Sequence, residues 1–206
     1  MSLFGVYGAG GCGRGILPLV RASLPAGEEA VFVDDGRDGA RINGARVLSF
    51  ETFAGTHDRG AICLAVASGG ARVALDRKCR EAGIPFFSAR ATERVEMDDV
   101  EIGEGALLSP YTALTSNIRI GRHFHLNLYS YVEHDCVIGD FVTFAPAVRC
   151  NGAVTIGDGA YIGSNAVIRQ GVTIGAGAVV GMGAVVTRDV PVGETWAGNP
   201  ARPLRR

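Results

Sequence analysis

An unbroken period of six residues runs through the second half of this sequence and limits how the chain can fold. From Ile102 to Val186 every sixth residue is apolar, and no insertion shifts the register. An amphipathic helix repeats about every 3.6 residues and a strand every second residue, so neither produces this pattern. The chain must turn a corner once per hexad, which predicts a parallel β-helix. The fifteen apolar positions are Ile102, Leu108, Leu114, Ile120, Leu126, Val132, Ile138, Phe144, Cys150, Ile156, Ile162, Ile168, Ile174, Val180 and Val186.

Small residues recur at two other places in the hexad. The residue after the apolar position is often glycine, and the fifth residue is usually small or β-branched. Because glycine adopts backbone angles that are closed to other residues, we expect these glycines to form tight corners between short strands. The glycines are Gly103, Gly121, Gly139, Gly157, Gly163, Gly175 and Gly181.

The residues ahead of the repeats alternate between strand and helix signals. This order predicts a small Rossmann-like α/β domain, with a parallel sheet covered by helices, over residues 1–87. Residues 88–101 are polar and acidic and are expected to be a linker. The β-helix domain is then expected over 102–190, followed by a C-terminal tail over 191–206. The predicted strands are 3–7, 30–34, 61–67 and 84–87, and the predicted helices are 11–23 and 71–82.

A glycine-rich loop follows the first predicted strand. Gly8, Gly10 and Gly13 have the spacing GxGxxG, and Asp34 and Asp35 end the second strand about 20 residues later. Glycines let a backbone approach a phosphate at a helix N-terminus, and the acid accepts a hydrogen bond from a hydroxyl or a base. The alternative is that a tight turn needs glycine in any case and that an aspartate caps the strand. We favour nucleotide binding, and a nucleotide-sugar over NAD because the region is shorter than a full Rossmann domain.

His134 lies in the middle of the repeats between two carboxylates, Glu133 and Asp135. As the third residue of its hexad it should leave the apolar stack near a corner. Its reference pKa of about 6.5 suits proton transfer near neutral pH, and a carboxylate on one ring nitrogen would raise its basicity. The alternative is a surface histidine among solvated acids. Cys136, two residues later, is expected to point into the apolar interior.

The run Tyr-Val-Glu-His-Asp-Cys-Val-Ile-Gly over 131–139 resembles the active-site coil of the PglD/NeuD-like nucleotide-sugar N-acetyltransferases. The resemblance covers nearly the whole chain, because the glycine-rich loop, the paired aspartates and the ending Ala-Gly-Asn-Pro-Ala over 197–201 also match. It implies a left-handed β-helix of the hexapeptide-repeat acyltransferase superfamily, with three hexads in each coil. It also implies acetyl-CoA as co-substrate, a nucleotide-linked amino sugar as acceptor, and a homotrimer.

The same resemblance assigns roles to individual residues. His134 would be the general base and Asp135 the residue that orients it. Asn127 matches an active-site asparagine, and the backbone N–H of Gly152 resembles the donor that holds the thioester carbonyl. Thr143 occupies another position that contacts acetyl-CoA. The residues that would contact the nucleotide-sugar in the first domain are Gly10, Gly11, Cys12, Asp34, Asp35, Ala67 and Ser68.

One residue departs from the family pattern. Relatives commonly carry histidine where Cys12 stands, and there it reaches toward the sugar from a neighbouring subunit. Cysteine forms weaker hydrogen bonds, so either the sugar or its pose is expected to differ, or the loop holds only phosphate. Candidate cations for the coenzyme A phosphates are Arg169, Arg188 and Arg202, although a solvated surface charge is the favoured interpretation of each.

Composition narrows the remaining possibilities. Lys plus Arg total 20 against 21 for Asp plus Glu, so no global field favours nucleic acid or an anionic membrane. The five cysteines are odd in number and form no CxxC pair, which argues against a disulfide framework or a metal site and favours a reducing cytoplasm. The sequence contains no run of about 18 apolar residues, so no membrane span is predicted. The apolar start is interpreted as a strand rather than a signal peptide.

Two alternatives to N-acetylation stay open on the sequence alone. One keeps the fold but transfers acetyl to a hydroxyl of a sugar or of serine. The other is a non-catalytic, nucleotide-binding trimer. The base of the nucleotide, the sugar and the position of its amine are not determined by these patterns.

Overall fold

A computed structural model describes residues 2–57 and 59–204 of the chain. The chain divides into two compact units, Met1–Arg90 and Ala91–Arg206. Among the described residues, no helix has the length and apolar character needed to cross a membrane.

The first unit is an α/β fold around one mainly parallel sheet. Its strand order is β3-β4-β2-β1-β5, and only the β3–β4 pair is antiparallel. The strands are β1 Leu3–Tyr7, β2 Glu29–Val33, β3 Arg41–Ile42, β4 Ala45–Leu48 and β5 Arg59–Leu64, and the helices are α1 Gly11–Ser23, α2 Phe50–Gly55 and α3 Gly69–Glu81, with a 3-10 turn at Asp35–Arg37. The chain leaves β1 toward β2 on one side and later adds β5 on the other, which creates a switch point at the carboxyl end of β1.

The predicted α/β pattern of this unit is confirmed, with local differences. The helix at 11–23 and the strand at 3–7 have the predicted bounds. The segment 84–87 pairs with the sheet only through an isolated bridge between Phe86 and Ile62. The β3–β4 hairpin and α2 were not predicted, because two- to six-residue elements contain too few residues to show a periodicity.

The second unit is the left-handed β-helix. Its strands are two or three residues long, and corners separate them. Together with one short strand at the end of the first unit, they are β6 Ala89–Arg90, β7 Val95–Glu96, β8 Val100–Ile102, β9 Leu107–Leu108, β10 Ala113–Leu114, β11 Ile118–Ile120, β12 His125–Leu126, β13 Tyr131–Val132, β14 Val137–Ile138, β15 Thr143–Phe144, β16 Arg149–Cys150, β17 Thr155–Ile156, β18 Tyr161–Ile162, β19 Val167–Ile168, β20 Thr173–Ile174, β21 Val179–Val180, β22 Val185–Val186, β23 Thr195–Ala197 and β24 Arg202–Pro203.

From β7 to β22, strands three apart in the chain pair in parallel, so three sheets form the sides of the β-helix. At the end of the chain, β23 pairs in parallel with β21, and β24 pairs antiparallel with β23. Val132 lies opposite Cys150, which fixes the coil at three hexads. Every predicted stack residue from Leu108 to Val186 is buried, and Ile102 packs partly buried against the same core. The ladder also extends back into the expected linker, because β7 and β8 pair with β10 and β11.

The glycines after the stack residues have a different role from the predicted one. The prediction that they adopt unusual backbone angles was wrong, because their φ values are ordinary. A Cβ on Gly103 would lie 2.7 Å from the carbonyl carbon of Gly121, and one on Gly163 would lie 2.6 Å from the nitrogen of Met182. Glycine is needed here because adjacent coils approach closely.

The left-handed backbone conformation belongs to another row of residues. It occurs at every sixth position from Asp99 to Gly183, three residues before each stack residue, with φ between 54° at Asp99 and 74° at Gly171. This row includes Asn117 and Asp135, at φ 58° and 61°. Asn and Asp tolerate this conformation better than most residues with a Cβ.

Candidate active site

His134 and Asp135 form a hydrogen-bonded pair at a corner of the β-helix. Nδ1 of His134 lies 2.8 Å from Oδ2 of Asp135. The His134 side chain is 50% exposed and that of Asp135 is 55% exposed, so the predicted departure from the apolar stack is confirmed. With the proton on Nδ1 donated to the carboxylate, the lone pair of Nε2 remains available.

A second donor fixes the carboxylate from the preceding coil. Nδ2 of Asn117 donates to Oδ1 of Asp135 at 3.1 Å, so the two carboxylate oxygens have separate partners. Asn117 and Asp135 occupy the same left-handed corner one coil apart. Asn117 was not singled out from the sequence, although its distance of one coil from Asp135 would have identified it.

The protonation states of this pair follow from the contact between them. The hydrogen bond with Asp135 raises the pKa of His134 above its ordinary value, and the negative charges of Asp135 and Glu133 act in the same direction. The hydrogen bonds from His134 and Asn117 lower the pKa of Asp135. The carboxylate therefore stays ionised while the imidazole becomes a stronger base.

Gly152 faces the imidazole from the next coil. A Cβ built on Gly152 would lie 2.5 Å from Cε1 and 2.6 Å from Nε2 of His134, so no larger residue fits without moving the ring. The carbonyl of His134 accepts from the N–H of Ala153 at 2.8 Å, which holds the two coils in register. The N–H of Gly152 has no acceptor among the residues that the structure describes.

A pocket of about 570 Å³ opens at this corner. Val167 and Val185 give it an apolar floor, while Arg169 supplies a cation at its edge. The other lining residues are Glu133, His134, Asn151, Gly152, Gln170 and Thr187. The pocket thus combines a base, a backbone N–H, an apolar surface and a positive charge. Of the three predicted phosphate-binding arginines, Arg169 is the one that lines it.

Two residues assigned by resemblance lie elsewhere in this unit. Asn127 follows β12 and therefore lies at the corner before the one that holds His134. Its Nδ2 donates to the carbonyl of Phe144 at 2.6 Å. Thr143, on β15, is only 3% exposed. Within one chain, neither residue is brought to the His134 pocket.

The glycine-rich loop of the first unit contains two kinds of glycine. Gly8 has φ +102°, and a Cβ on Gly13 would overlap the carbonyl oxygen of Gly8, so the fold itself needs both. A Cβ on Gly10 or Gly11 would meet nothing within 4 Å. Gly10 is the N-cap of α1 and provides no side-chain cap, which leaves the first amides of the helix available to an anion.

The paired aspartates already have partners within the protein. Oδ2 of Asp34 accepts from the N–H of Ala9 at 3.0 Å, which attaches the glycine-rich loop to the end of β2. Asp35 accepts from the N–H of Phe50 at 2.6 Å and from Nζ of Lys78 at 3.2 Å. These contacts give Asp34 a structural role in shaping the loop, whereas Asp35 connects the end of β2 to α2 and α3.

The loop after β5 is held by a buried arginine. Arg72 is fully buried and donates to the carbonyls of Val66 and Ala67, both at 2.9 Å. Burial lowers the pKa of Arg72 to about 10, so it stays charged near neutral pH. Ser68 caps α3 by accepting from the N–H of Ala71 at 3.3 Å.

Burial raises the pKa of the Cys12 thiol, which keeps it protonated and weakly nucleophilic.

The chain matches known proteins along its whole length. Residues 153–188 match the family described as bacterial transferase hexapeptide (six repeats). GDP-perosamine N-acetyltransferase of Escherichia coli O157:H7 is 44% identical in an alignment covering 100% of this chain and 98% of that enzyme. This chain belongs to the hexapeptide-repeat nucleotide-sugar N-acetyltransferases.

Solved structures of other members of this N-acetyltransferase family share the fold. WeeI from Acinetobacter baumannii AYE has a TM-score of 0.95 at 49% identity, over 99% of this chain and 100% of that one. PerB from Caulobacter crescentus, solved with CoA and GDP-perosamine, has a TM-score of 0.91 at 28% identity, over 98% and 97%. The acetyltransferase domain of PglB from Neisseria gonorrhoeae FA1090, solved with acetyl coenzyme A, has a TM-score of 0.89 at 29% identity, over 98% of each chain.

Membership in this N-acetyltransferase family confirms several predictions. The protein is an acetyl-CoA-dependent N-acetyltransferase with the predicted two-part fold, and acetyl-CoA is its co-substrate. The alternative of a non-catalytic nucleotide-binding trimer was therefore wrong. Among the residues that the structure describes, no group of three or more His, Cys, Asp or Glu side chains is arranged to hold a metal ion.

Proposed function

We propose that this enzyme transfers the acetyl group of acetyl-CoA to the amine of GDP-perosamine, with His134 as the general base. The observation that carries the mechanism is the His134–Asp135 pair facing Gly152 across the pocket. The substrate follows from the relatives, since the E. coli enzyme is a GDP-perosamine N-acetyltransferase and PerB was solved with GDP-perosamine.

The reaction is a direct attack of the sugar amine on the thioester carbonyl. Nε2 of His134 accepts the proton that the amine loses, and Asp135 stabilises the imidazolium through Nδ1. The new C–N bond forms as the tetrahedral intermediate collapses, and the thiolate of coenzyme A leaves. No serine or cysteine lines the pocket among the described residues, which supports direct transfer over an acyl-enzyme.

Gly152 supplies the electrostatic part of the mechanism. Its N–H has no acceptor among the described residues and would donate to the thioester oxygen as negative charge develops on that atom. Val167 and Val185 would contact the apolar part of the coenzyme A tail, and Arg169 would attract its phosphates. Asn127 and Thr143 are absent from this pocket in one chain, so any role for them would come from a neighbouring subunit of a trimer.

The glycine-rich loop supports a nucleotide site in the first unit. The fold does not require glycine at Gly10 and Gly11, because a Cβ there would face open space. A diphosphate that approaches the uncapped start of α1 would require glycine at these two positions. Cys12, Ala67 and Ser68 would border the same site. Asp34 would contribute mainly by holding the loop in shape, and Asp35 by connecting the end of β2 to α2 and α3.

The test is acetyl transfer with purified protein. Coenzyme A release is followed with a thiol reagent for GDP-perosamine, for UDP- and dTDP-linked amino sugars, and for GDP-mannose as a hydroxyl-only acceptor. We expect amide product and thiol release with GDP-perosamine above all. Faster release with another nucleotide would overturn the substrate assignment, and ester formation on GDP-mannose at the same rate would favour O-acetylation.

A variant separates the mechanism from the substrate assignment. His134→Ala should lower kcat by about 10² to 10⁴ while the protein stays folded. The matched control is His57→Ala, in a loop of the first unit, which should keep full activity. Retention of wild-type kcat by His134→Ala would exclude it as the base. Light scattering gives the oligomeric state, for which we expect a trimer.

A further inference from the structure

The orientation of the Gly152 N–H depends on the peptide group to which it belongs. That peptide joins Asn151 to Gly152, so the carbonyl of Asn151 and the N–H of Gly152 point in opposite directions. A donor that holds the carbonyl of Asn151 therefore also aims the N–H of Gly152. If the N–H stabilises the oxyanion, whatever holds this carbonyl contributes to catalysis without touching the substrate.

Two buried thiols lie near this carbonyl: Sγ of Cys150 is 3.8 Å from its oxygen, and Sγ of Cys136 is nearer. Sγ of Cys136 lies 3.3 Å from the carbonyl oxygen of Asn151 and 3.7 Å from that of His134. Cys136 is 0% exposed and belongs to the apolar core. One interior side chain thus contacts the backbone of both the proposed base and the proposed oxyanion donor.

Some corners of the β-helix are closed by a backbone amide. The carbonyls of Gly163 and Gly175, at the same hexad position as Asn151, accept from the N–H three residues later, at 3.1 Å in both cases. No such amide bond to Asn151 occurs among the described residues. At the Asn151 corner, the thiol of Cys136 lies at the carbonyl instead, 3.3 Å from its oxygen.

The side chain of Asn151 holds the same peptide from the other side. Its Oδ1 accepts from the hydroxyl of Tyr131 at 3.1 Å, and its Nδ2 donates to the carbonyl of Ile168 at 2.8 Å. The hydrogen-bonding groups of the Asn151 side chain are therefore engaged, while Gly152 lines the pocket and its N–H has no acceptor among the described residues.

We infer that Cys136 is a positioning residue that aims the Gly152 N–H at the thioester oxygen by holding the Asn151 carbonyl. This inference rests on the proposed role of Gly152 in the acetyl transfer. Because S–H···O bonds are weak, the contribution is small but measurable. Loss of the thiol should lower kcat by about fivefold, which corresponds to about 1 kcal/mol of transition-state stabilisation.

The test compares three variants of the full-length enzyme. Cys136→Val introduces the residue that occupies the same hexad position at Val142, Val148 and Val154, so it keeps an apolar filler and removes the donor. Cys136→Ser restores a donor of similar size. The matched control Val172→Ala removes core volume at the same corner two coils further on, away from the Asn151 carbonyl.

We expect Cys136→Val to lower kcat about fivefold with unchanged KM for both substrates and an unchanged pH profile. Cys136→Ser should recover activity to within about twofold, and Val172→Ala should lower the melting temperature but not kcat. An equal loss of kcat in Val172→Ala, or an unaffected kcat in Cys136→Val, would show that Cys136 is only a core residue.

Infrared spectra of bound acetyl-CoA give a readout that needs no acceptor substrate. With ¹³C in the thioester carbonyl, its stretching frequency should be lowered on binding to the wild-type enzyme and less so on binding to Cys136→Val. Equal frequencies in the two proteins would overturn the inference even if the acceptor proved to be a different sugar. A wild-type enzyme that lowers this frequency but acetylates no nucleotide-sugar would contradict only the proposed function.

Discussion

Gly152→Ala is expected to disable the enzyme without unfolding it. The added Cβ would lie 2.5 Å from Cε1 and 2.6 Å from Nε2 of His134, whereas nonbonded carbon atoms prefer separations of about 3.5 to 4.0 Å. The imidazole must therefore retreat by roughly 1 Å. Because the His134 side chain is half exposed, it can move toward solvent, and the fold is spared.

The size of the effect follows from the geometry of proton transfer. A displacement of about 1 Å at a reacting centre costs on the order of 10² in rate, or about 2.7 kcal/mol in the activation free energy. The φ of Gly152 lies in a region open to alanine, so the backbone adds no strain. We expect kcat to fall about 100-fold while the melting temperature changes by no more than about 2 °C.

The assay measures kcat by thiol release at saturating acetyl-CoA and acceptor, together with thermal unfolding. Gly171→Asn is the matched control, because it changes a glycine one coil further on to a residue that tolerates its left-handed φ of 74°. This control should keep both kcat and stability. A Gly152→Ala enzyme with kcat within about threefold of the wild type would refute the reasoning, because the ring would then have adapted without losing its alignment.

Two further predictions concern the base and the glycine-rich loop. Asp135→Asn removes the charge that raises the pKa of His134, so the acidic pH at which kcat/KM is half-maximal should move lower. The plateau of kcat/KM should also fall, because the base is weaker. An unchanged pH profile would show that its acidic limb does not report the titration of His134. Gly10→Ala should keep the melting temperature and raise KM for the nucleotide-sugar about tenfold. Gly13→Ala should destabilise the protein, because its Cβ would overlap the Gly8 carbonyl. An equal loss of stability in both variants would contradict the proposed division of roles between the two glycines.

The hexad period predicted the β-helix because each apolar stack residue needs burial at a fixed interval. It could not distinguish two reasons for a small residue at a corner. Gly103 is needed for a close approach between coils, whereas Gly171 is favoured, but not required, by its left-handed backbone, and both are simply glycines in the sequence. The burial of Thr143 was also not predictable, because its hexad has the same pattern as hexads whose strand residue faces solvent.

The part of the candidate site that could be predicted is the part set by the 18-residue length of a coil. His134 and Gly152 are separated by one coil, so the period alone places them at one corner. The hydrogen bonds that hold them were not predictable, because they depend on which way each peptide group points. The thiol of Cys136 illustrates this, since its inward position was predicted and its contact with the Asn151 carbonyl was not.

The left-handed corner row explains why a catalytic pair can arise at this position. Asn117, Asp135, Ala153 and Gly171 share one corner and one backbone conformation in successive coils. Aspartate is among the residues that adopt this conformation most readily, and there its carboxylate reaches the ring of the preceding His134. A substitution at one position of this row changes which side-chain groups the corner presents, while the backbone of the coil stays the same. The proposed base and the carboxylate that orients it are thus two adjacent corner residues, and the apolar stack that builds the β-helix continues unchanged beneath them.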